Sequence, residues 1–223
     1  MKACAFFDVD GTILSESSGM LYTKYLLKEG KVSKWEMVKA SWWWLQHRVG
    51  VLDIERLTKK AAGRVKGDSE AVMIEECNIW YREMVKPYVR PQIVELIEDH
   101  RLRGHKLALL TASTIYLAKP LGEDLGFDGY ICNHLEVKDG IFTGRMIEPL
   151  CYGEGKVRYA QEYARENDIS LADSYFYTDS ITDMDFLVKV GNPVAVNPDP
   201  LLRREAKKRE WRIYDFHHEP KFR

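Results

Sequence analysis

Residues Ala3 to Phe7 form an uninterrupted apolar run that leads into Asp8-Val9-Asp10-Gly11-Thr12. A run with no polar alternation predicts a strand buried on both faces, as in the middle of a parallel sheet. Asp8 and Asp10 stand where that strand ends. Their two-residue spacing puts both side chains on one side of the chain, and Gly11 lets the backbone turn sharply after them. The carboxyl edge of a parallel sheet is where open α/β folds bind ligands. Charge at such an edge needs a reason, a metal ion or chemistry; the plain alternative is a turn in which Asp is only a loop former.

The rest of the chain supplies the sheet that this strand needs. Lys106 to Leu110 ending at Thr111-Ala112-Ser113, Gly129 to Asn133, Ser174 to Thr178, and Pro193 to Val196 read as further strands, the last being the final core strand. Between them run helical patterns: from Pro91 at a first-turn position to Gly104, to about Leu125 with a kink at Pro120, from Gly153 to about Asn167, and a short helix closing over Val188 to Gly191. Alternating strands and helices predict a parallel sheet with helices on both faces and right-handed crossovers. Leu135 to Gly144 reads as a β-hairpin turning at Asp139-Gly140.

Between the first strand and Pro91 the pattern is helical for about seventy residues. Ser33-x-x-Glu36 is a capping box. It opens a stripe of Trp35, Val38, Trp42, Leu45 and Val49, from which Trp43 and Trp44 fall away. Asp53 caps a further helix through Leu57 and Ala61, and Asp68 or Ser69 starts another toward Pro87. The expected organisation is an α/β core formed by residues 1–14 and 89–223, with residues 15–88 as a small all-helical cap inserted after the first strand.

Composition narrows the partners. With 33 basic and 34 acidic side chains and a net charge of −1, the chain has no global attraction to nucleic acid or anionic membrane. Arg203, Arg204, Lys207, Lys208 and Arg209 alternate with Glu205 and Glu210, a solvated helix face. No integral membrane segment is expected, since the N-terminal apolar stretch is five residues long and runs into acids. Cys4, Cys77, Cys132 and Cys151 show no metal-ligand spacing and fit reduced thiols in a cytoplasm. His217-His218 lies in a polar tail and is assigned no metal.

Four groups at strand ends or helix starts have complementary chemistry: Asp8 with Asp10, Thr111, Lys156, and Asp179 with Asp183. In a parallel sheet they converge on one edge. Several carboxylates make a hard-oxygen site suited to Mg²⁺, while lysine and a hydroxyl suit phosphate oxygens. Taken singly, Lys156 also reads as a solvated helix residue, Asp179 and Asp183 as helix caps, and Thr111 as a strand end.

In that order the four groups resemble the motifs of the haloacid dehalogenase-like superfamily: Asp8-Val9-Asp10-Gly11-Thr12, the strand ending at Thr111, Lys156, and Asp179-Ser180-Ile181-Thr182-Asp183. The hairpin and Gly153-Glu154-Gly155-Lys156 are most similar to the phosphoserine phosphatase-like branch. The resemblance implies a Rossmann-like three-layer core with a helical cap, and a Mg²⁺-dependent phosphomonoesterase acting on a small phosphorylated metabolite. Asp8 is then the nucleophile and Asp10 the general acid and base. Mg²⁺ is held by the Asp8 carboxylate, the Asp10 carbonyl and Asp179, with Asp183 orienting a metal-bound water. Gly11, Thr111, Ala112 and Lys156 bind the phosphate.

Two other readings use the same residue types: a superfamily phosphotransferase, and a phosphoacceptor signalling module such as a response-regulator receiver. A receiver places its acidic pair on the first strand and the phosphorylated Asp later, whereas here Asp10 follows Asp8 directly. Within the branch, the carboxylate that contacts a substrate amine falls on Ser17, with Glu16 one residue away. That departure and the Trp42-Trp43-Trp44 run leave the substrate open. Arg48, Arg56 and Arg64 are each eligible as a substrate clamp, and neither those residues nor the oligomeric state is chosen by the sequence.

Overall fold

The computed structural model of the chain describes residues 2–32 and 54–216, with side chains from residue 58 onward in the second stretch. Strand β1 (Cys4–Phe7) is wholly buried, as its unbroken apolar sequence requires. Helix α1 (Ser18–Lys28) follows the turn at Gly11, then α2 (Ile54–Arg64) and α3 (Glu70–Trp80). The last of these does not stop at Trp80 but runs on through a wider turn, Tyr81–Val85, and a tight one, Lys86–Tyr88. Helix α4 (Pro91–Leu102) starts with proline at its first position, where a missing N–H costs nothing.

Strand β2 (Lys106–Thr114), helix α5 (Ile115–Leu125) and strand β3 (Gly129–Asn133) complete one wing. Helix α5 continues past Pro120. The hairpin is β4 (Leu135–Lys138) and β5 (Ile141–Met146), and both of its turn residues, Asp139 and Gly140, have positive φ, the conformation that Asp-Gly hairpins favour. Helix α6 (Glu154–Glu166), strand β6 (Tyr175–Thr178), the short helix α7 (Met184–Leu187), strand β7 (Asn192–Val196) and helix α8 (Pro200–Lys208) form the other wing.

Two sequence expectations are corrected here. The short helix ends at Leu187 and does not reach Val188 to Gly191. Nor is Val196 the end of the sheet: Arg212–Tyr214 adds β8 alongside β7. Three residues are too few for periodicity to identify a strand.

The sheet order is β3-β2-β1-β6-β7-β8, every neighbouring pair parallel. From β1 the chain first builds outward to β2 and β3, then returns to lay β6 on the other side. The gap between the ends of β1 and β6 is therefore the switch point, where helices diverge and leave a crevice. Alternation along β1 divides the core. Ala5 and Phe7 join the cluster that includes Ile93, Leu109 and Tyr177; Cys4 and Phe6 join that of Val157, Phe176 and Phe186. Two apolar layers on one central sheet make three layers in all.

Every described element of residues 15–88 is helical. The chain leaves and re-enters the sheet region along paired segments, Ser15 N donating to Tyr88 O and Arg90 N to Ile13 O, each at 2.9 Å. The hairpin packs against α2. It is stitched to the α2–α3 connection by Gly67 N to Phe142 O, Phe142 N to Asp68 O and Glu70 N to Gly140 O. The Ser33-Glu36 capping box, the stripe from Trp35 to Val49, Trp42-Trp43-Trp44, Arg48, Asp53 and His217-His218 lie outside the described residues, as does the side chain of Arg56. Among the described residues no helix is long and apolar enough to cross a membrane. The four cysteines are buried and unpaired.

Candidate active site

Asp8 lies one residue beyond β1, its N–H donating to Tyr177 O on β6 at 2.9 Å, so the sheet ladder runs directly into the crevice. Asp179 follows β6 at the same level. Gly11 brings the two together: with φ of +75° it turns the chain past Asp179 so closely that a Cβ there would collide with the carboxylate. The eight residues singled out from the sequence, Asp8, Asp10, Gly11, Thr111, Ala112, Lys156, Asp179 and Asp183, all line one cleft of about 1090 Å³.

Lys156 is the hub of its charged end. Its side chain is 5% exposed, and Nζ lies 3.0 Å from Asp8 Oδ1 and 2.7 Å from Asp183 Oδ1. Asp183 is held from its other side by Thr178 Oγ1 at 2.6 Å. The solvated-helix reading of Lys156 is thereby excluded. Helix α6 presents the lysine inward because its opposite face carries the polar residues Arg158, Glu162 and Glu166, while Val157, Ala160 and Ala164 pack below.

Asp10 faces the start of α1. Ser18 donates to it twice, backbone N to Oδ1 and Oγ to Oδ2, both at 2.8 Å, and Ser18 Oγ is 3.3 Å from Ser113 Oγ. The Ser18 hydroxyl can donate or accept, so that contact serves either protonation state of Asp10. Thr111 Oγ1 accepts from Ser113 N at 3.1 Å, so its own hydrogen is available to another acceptor.

The acids crowd one another. Burial pushes the Asp8 carboxyl up to about 7; Lys156 opposes that shift, and Asp183 and Asp10 reinforce it. Burial first, and then Asp8, Asp183 and Asp10, hold Asp179 well above the ordinary carboxylate range. Burial disfavours the Lys156 charge, but Asp183 and Asp8 outweigh it and keep the ammonium above its usual range. Arg90, half-buried in the same cleft, has its Nε without a hydrogen-bond partner among the described residues; burial lowers its pKa and the Asp179 charge counteracts.

Among the described residues no three Asp, Glu, His or Cys side chains form a ready-made metal cage. The donor set still fits a hard divalent cation: Asp8 and Asp179 are carboxylates whose ionisation is penalised first by burial, and such an ion supplies charge that offsets it. Glu16, Ser17 and Arg64 also line the cleft. Ser18, Asn133, Thr178 and Arg90 are contributors that motif reading passes over, because each acts through a hydrogen bond or charge made only in the folded chain.

Comparisons with known proteins bear on the family and the fold. The model of the haloacid dehalogenase-like hydrolase family matches residues 5–187. The chain is 31% identical to the inhibition of morphological differentiation protein of Streptomyces azureus over 97% of this chain and 79% of that one. It is 31% identical to phosphoserine phosphatase SerB1 of Mycobacterium tuberculosis (97% and 71%) and 28% identical to histidinol-phosphatase of Neisseria meningitidis (97% and 100%). Among solved structures, a protein of unknown function from Bordetella pertussis superposes with a TM-score of 0.86 at 27% identity, over 96% of this chain and 99% of that one. A phospho-aspartyl intermediate analogue of phosphoserine phosphatase gives 0.72 at 20% identity (98% and 95%), a likeness of fold. With a family model matching residues 5–187 and 97% of this chain aligned to each of those relatives, the chain belongs to the haloacid dehalogenase-like hydrolases.

Proposed function

We propose that the protein is a Mg²⁺-dependent phosphomonoesterase acting on a small phosphorylated metabolite through an aspartyl-phosphate. The observation that carries this reading is the buried Lys156 bridge between Asp8 and Asp183 at the switch point, beside Asp10 and Asp179. Mg²⁺ would be held by the Asp8 and Asp179 carboxylates and the Asp10 carbonyl, with Asp183 orienting its water, and would supply positive charge against the phosphoryl oxygens.

Asp8 attacks phosphorus, forming an O–P bond as the bond to the alcohol breaks, and Asp10 gives its proton to the departing oxygen. Asp10 then takes a proton from water, whose oxygen attacks phosphorus and releases Asp8. The net products are alcohol and phosphate. Lys156 offsets charge on Asp8 and the phosphoryl group throughout; the Thr111 hydroxyl and the turn from Gly11 and Ala112 cradle the phosphate oxygens. Asp10 favours hydrolysis over a lasting phosphoacceptor role, because a general base beside the acyl phosphate shortens its life.

Residues 15–88 serve as the cap that excludes water and selects the substrate. Ser17 stands where the branch places a carboxylate for an amine, so the substrate is not fixed as phosphoserine. Four buried, unpaired thiols suit a reducing cytoplasm. The test is turnover of an aryl phosphate with Mg²⁺ and its loss on chelation, followed by a metabolite screen that includes phosphoserine and histidinol phosphate. Absence of Mg²⁺-dependent release of phosphate from every ester would overturn the proposal.

A further inference from the structure

Asn133 closes strand β3 and is 3% exposed, yet its side chain bonds no other side chain among the described residues. Its Nδ2 donates to Ala112 O at 2.6 Å and its Oδ1 accepts from Cys151 N at 2.7 Å. The amide orientation is fixed by these partners, because a carbonyl can only accept and a backbone N–H can only donate.

Both contacts lie on segments that carry phosphate-site residues. Strands β2 and β3 pair in register up to Leu110 and again at Thr114, and slip between them. The irregularity is a bulge at Thr111–Ser113 within β2, and Ala112 O lies in it. Asn133 takes that carbonyl. Across a trans peptide the Ser113 N–H points the opposite way, and there it meets Thr111 Oγ1 at 3.1 Å. Fixing the carbonyl thus orients the hydroxyl that is to meet phosphate.

The second contact reaches the loop that leads into α6. Cys151 is fully buried, and its thiol points to Ile131 O. Four residues on, Gly155 packs against Leu150 O so closely that a Cβ would clash, which locks the first turn of α6 beneath this loop. Lys156 is the next residue.

We propose that Asn133 is a positioning residue, the single side chain that sets the phosphate-binding turn at Thr111 against the loop that delivers Lys156. It touches no substrate and acts through two backbone groups. A carboxamide satisfies both at any pH: an apolar side chain leaves a buried N–H and a buried C=O unpaired, and an ionised Asp sets negative charge against Ala112 O.

The assay rests on the phosphomonoesterase reading, so inorganic phosphate affinity by calorimetry is measured beside turnover. N133A is expected to lower kcat/KM on an aryl phosphate by about 10²-fold, as small misplacements of binding groups do, mostly in kcat, and to weaken phosphate binding. N133D is the discriminating variant. Protonated, it can donate to Ala112 O and accept from Cys151 N; ionised, it cannot. Its activity should approach wild type at low pH and fall through a new ionisation between roughly pH 6 and 9, since burial and the carbonyl raise a carboxyl in that position. Cys132 and Cys151, pushed up to about 12 by burial, and His134, moved down, do not supply such a step; Asp8, raised to about 7, titrates in wild type as well, so the step is read in the ratio of variant to wild type. A purely structural asparagine would leave the pH profile of N133D parallel to wild type.

That parallel profile, or a folded N133A with kcat/KM and phosphate affinity within about threefold of wild type, overturns the assignment. If N133A does not fold, the N133D profile decides alone. A wild-type protein that binds phosphate but turns over no ester defeats the phosphomonoesterase reading instead, and the positioning claim is then judged by the phosphate affinity of N133D across the same pH range.

Discussion

Along the strand ends the cleft is floored by Asp8, Asp10, Asp179, Asp183 and Lys156, whereas its cap-side wall is carried by Tyr22, Met73, Cys77 and Trp80. The floor is held by short polar bonds between groups far apart in sequence, such as Lys156 to Asp8 across 148 positions. The wall is held by ring and sulfur packing: Tyr22 and Trp80 meet edge to face at 5.1 Å, and Tyr22 Oη and Cys77 Sγ both lie against Met73 Sδ. Charged groups in a buried network act at one geometry and fail when one is removed. Methionine and aromatic surfaces lose less when a contact is reshaped. Under the proposed function, that difference assigns the chemistry to the floor and the choice among substrates to the wall.

The largest expected effect tests the floor at its centre. Asp8→Asn retains shape but removes the proposed nucleophile, and turnover of an aryl phosphate should fall by about 10⁵-fold or more, to background. Undiminished turnover in that variant would remove Asp8 from the chemistry. Next comes Lys156→Met. It leaves Asp8 and Asp183 buried without their shared cation, so kcat should drop by about 10³-fold. A melting experiment should also show a lower Tm, since breaking a buried pair costs about 3–5 kcal/mol. A Lys156→Met protein with wild-type kcat would mean that the floor is not one network.

A third prediction concerns what supports the floor. Tyr177, next to β1 in the sheet, stacks on Phe7 at 4.4 Å and its hydroxyl lies 2.6 Å from His100 Nε2; His100 Nδ1 lies 2.8 Å from His105 Nδ1. Burial, with His105 and Arg103 adding to it, lowers His100 to about 4. Below the ordinary histidine pKa the unfolded chain takes up a proton that the folded chain refuses. This contribution to stability is therefore present above about pH 6.5 and lost as pH falls toward 4, at a slope of about 1.4 kcal/mol per pH unit. Denaturant melts of wild type and His100→Phe should differ in slope over that window, and equal slopes would refute the buried neutral imidazole.

The two regions also differ in how far the sequence discloses them. The floor is legible because its residues end strands or start helices, and the parallel sheet carries those ends to one edge whatever the packing details; Asp8 and Asp179 meet for that reason. Lys156 needed the fold to show that it is buried. Ser18 and Asn133 left no signal, since a lone Ser or Asn becomes informative only when the backbone group it bonds is known. The hairpin was readable from Asp139-Gly140, but its stitching to Gly67 and Asp68 was not, because a three-bond contact between loops has no periodicity. β8 was missed for the same lack of length. In the wall, Tyr22, Met73, Cys77 and Trp80 have the spacing of ordinary helix core, and nothing in that pattern separates a residue that packs from one that meets a ligand.

The smallest expected effect falls on the wall, and it decides whether the contrast holds. Trp80 is 4% exposed, and its indole Nε1 has no hydrogen-bond partner among the described residues. Trp80→Phe removes that unpaired donor along with some packing area, so the two changes oppose one another and stability should shift by about 1 kcal/mol or less. Tyr22→Phe removes only the hydroxyl contact to Met73. If the wall selects and the floor reacts, both variants should leave kcat on a small aryl phosphate within about threefold of wild type. They should shift the relative kcat/KM of a bulky and a compact phosphomonoester by up to about tenfold, the range that reshaping an apolar pocket gives. A wall variant that lowers kcat as steeply as Lys156→Met does would place Trp80 or Tyr22 in the same coupled unit as the acids, and the division between floor and wall would have to be given up.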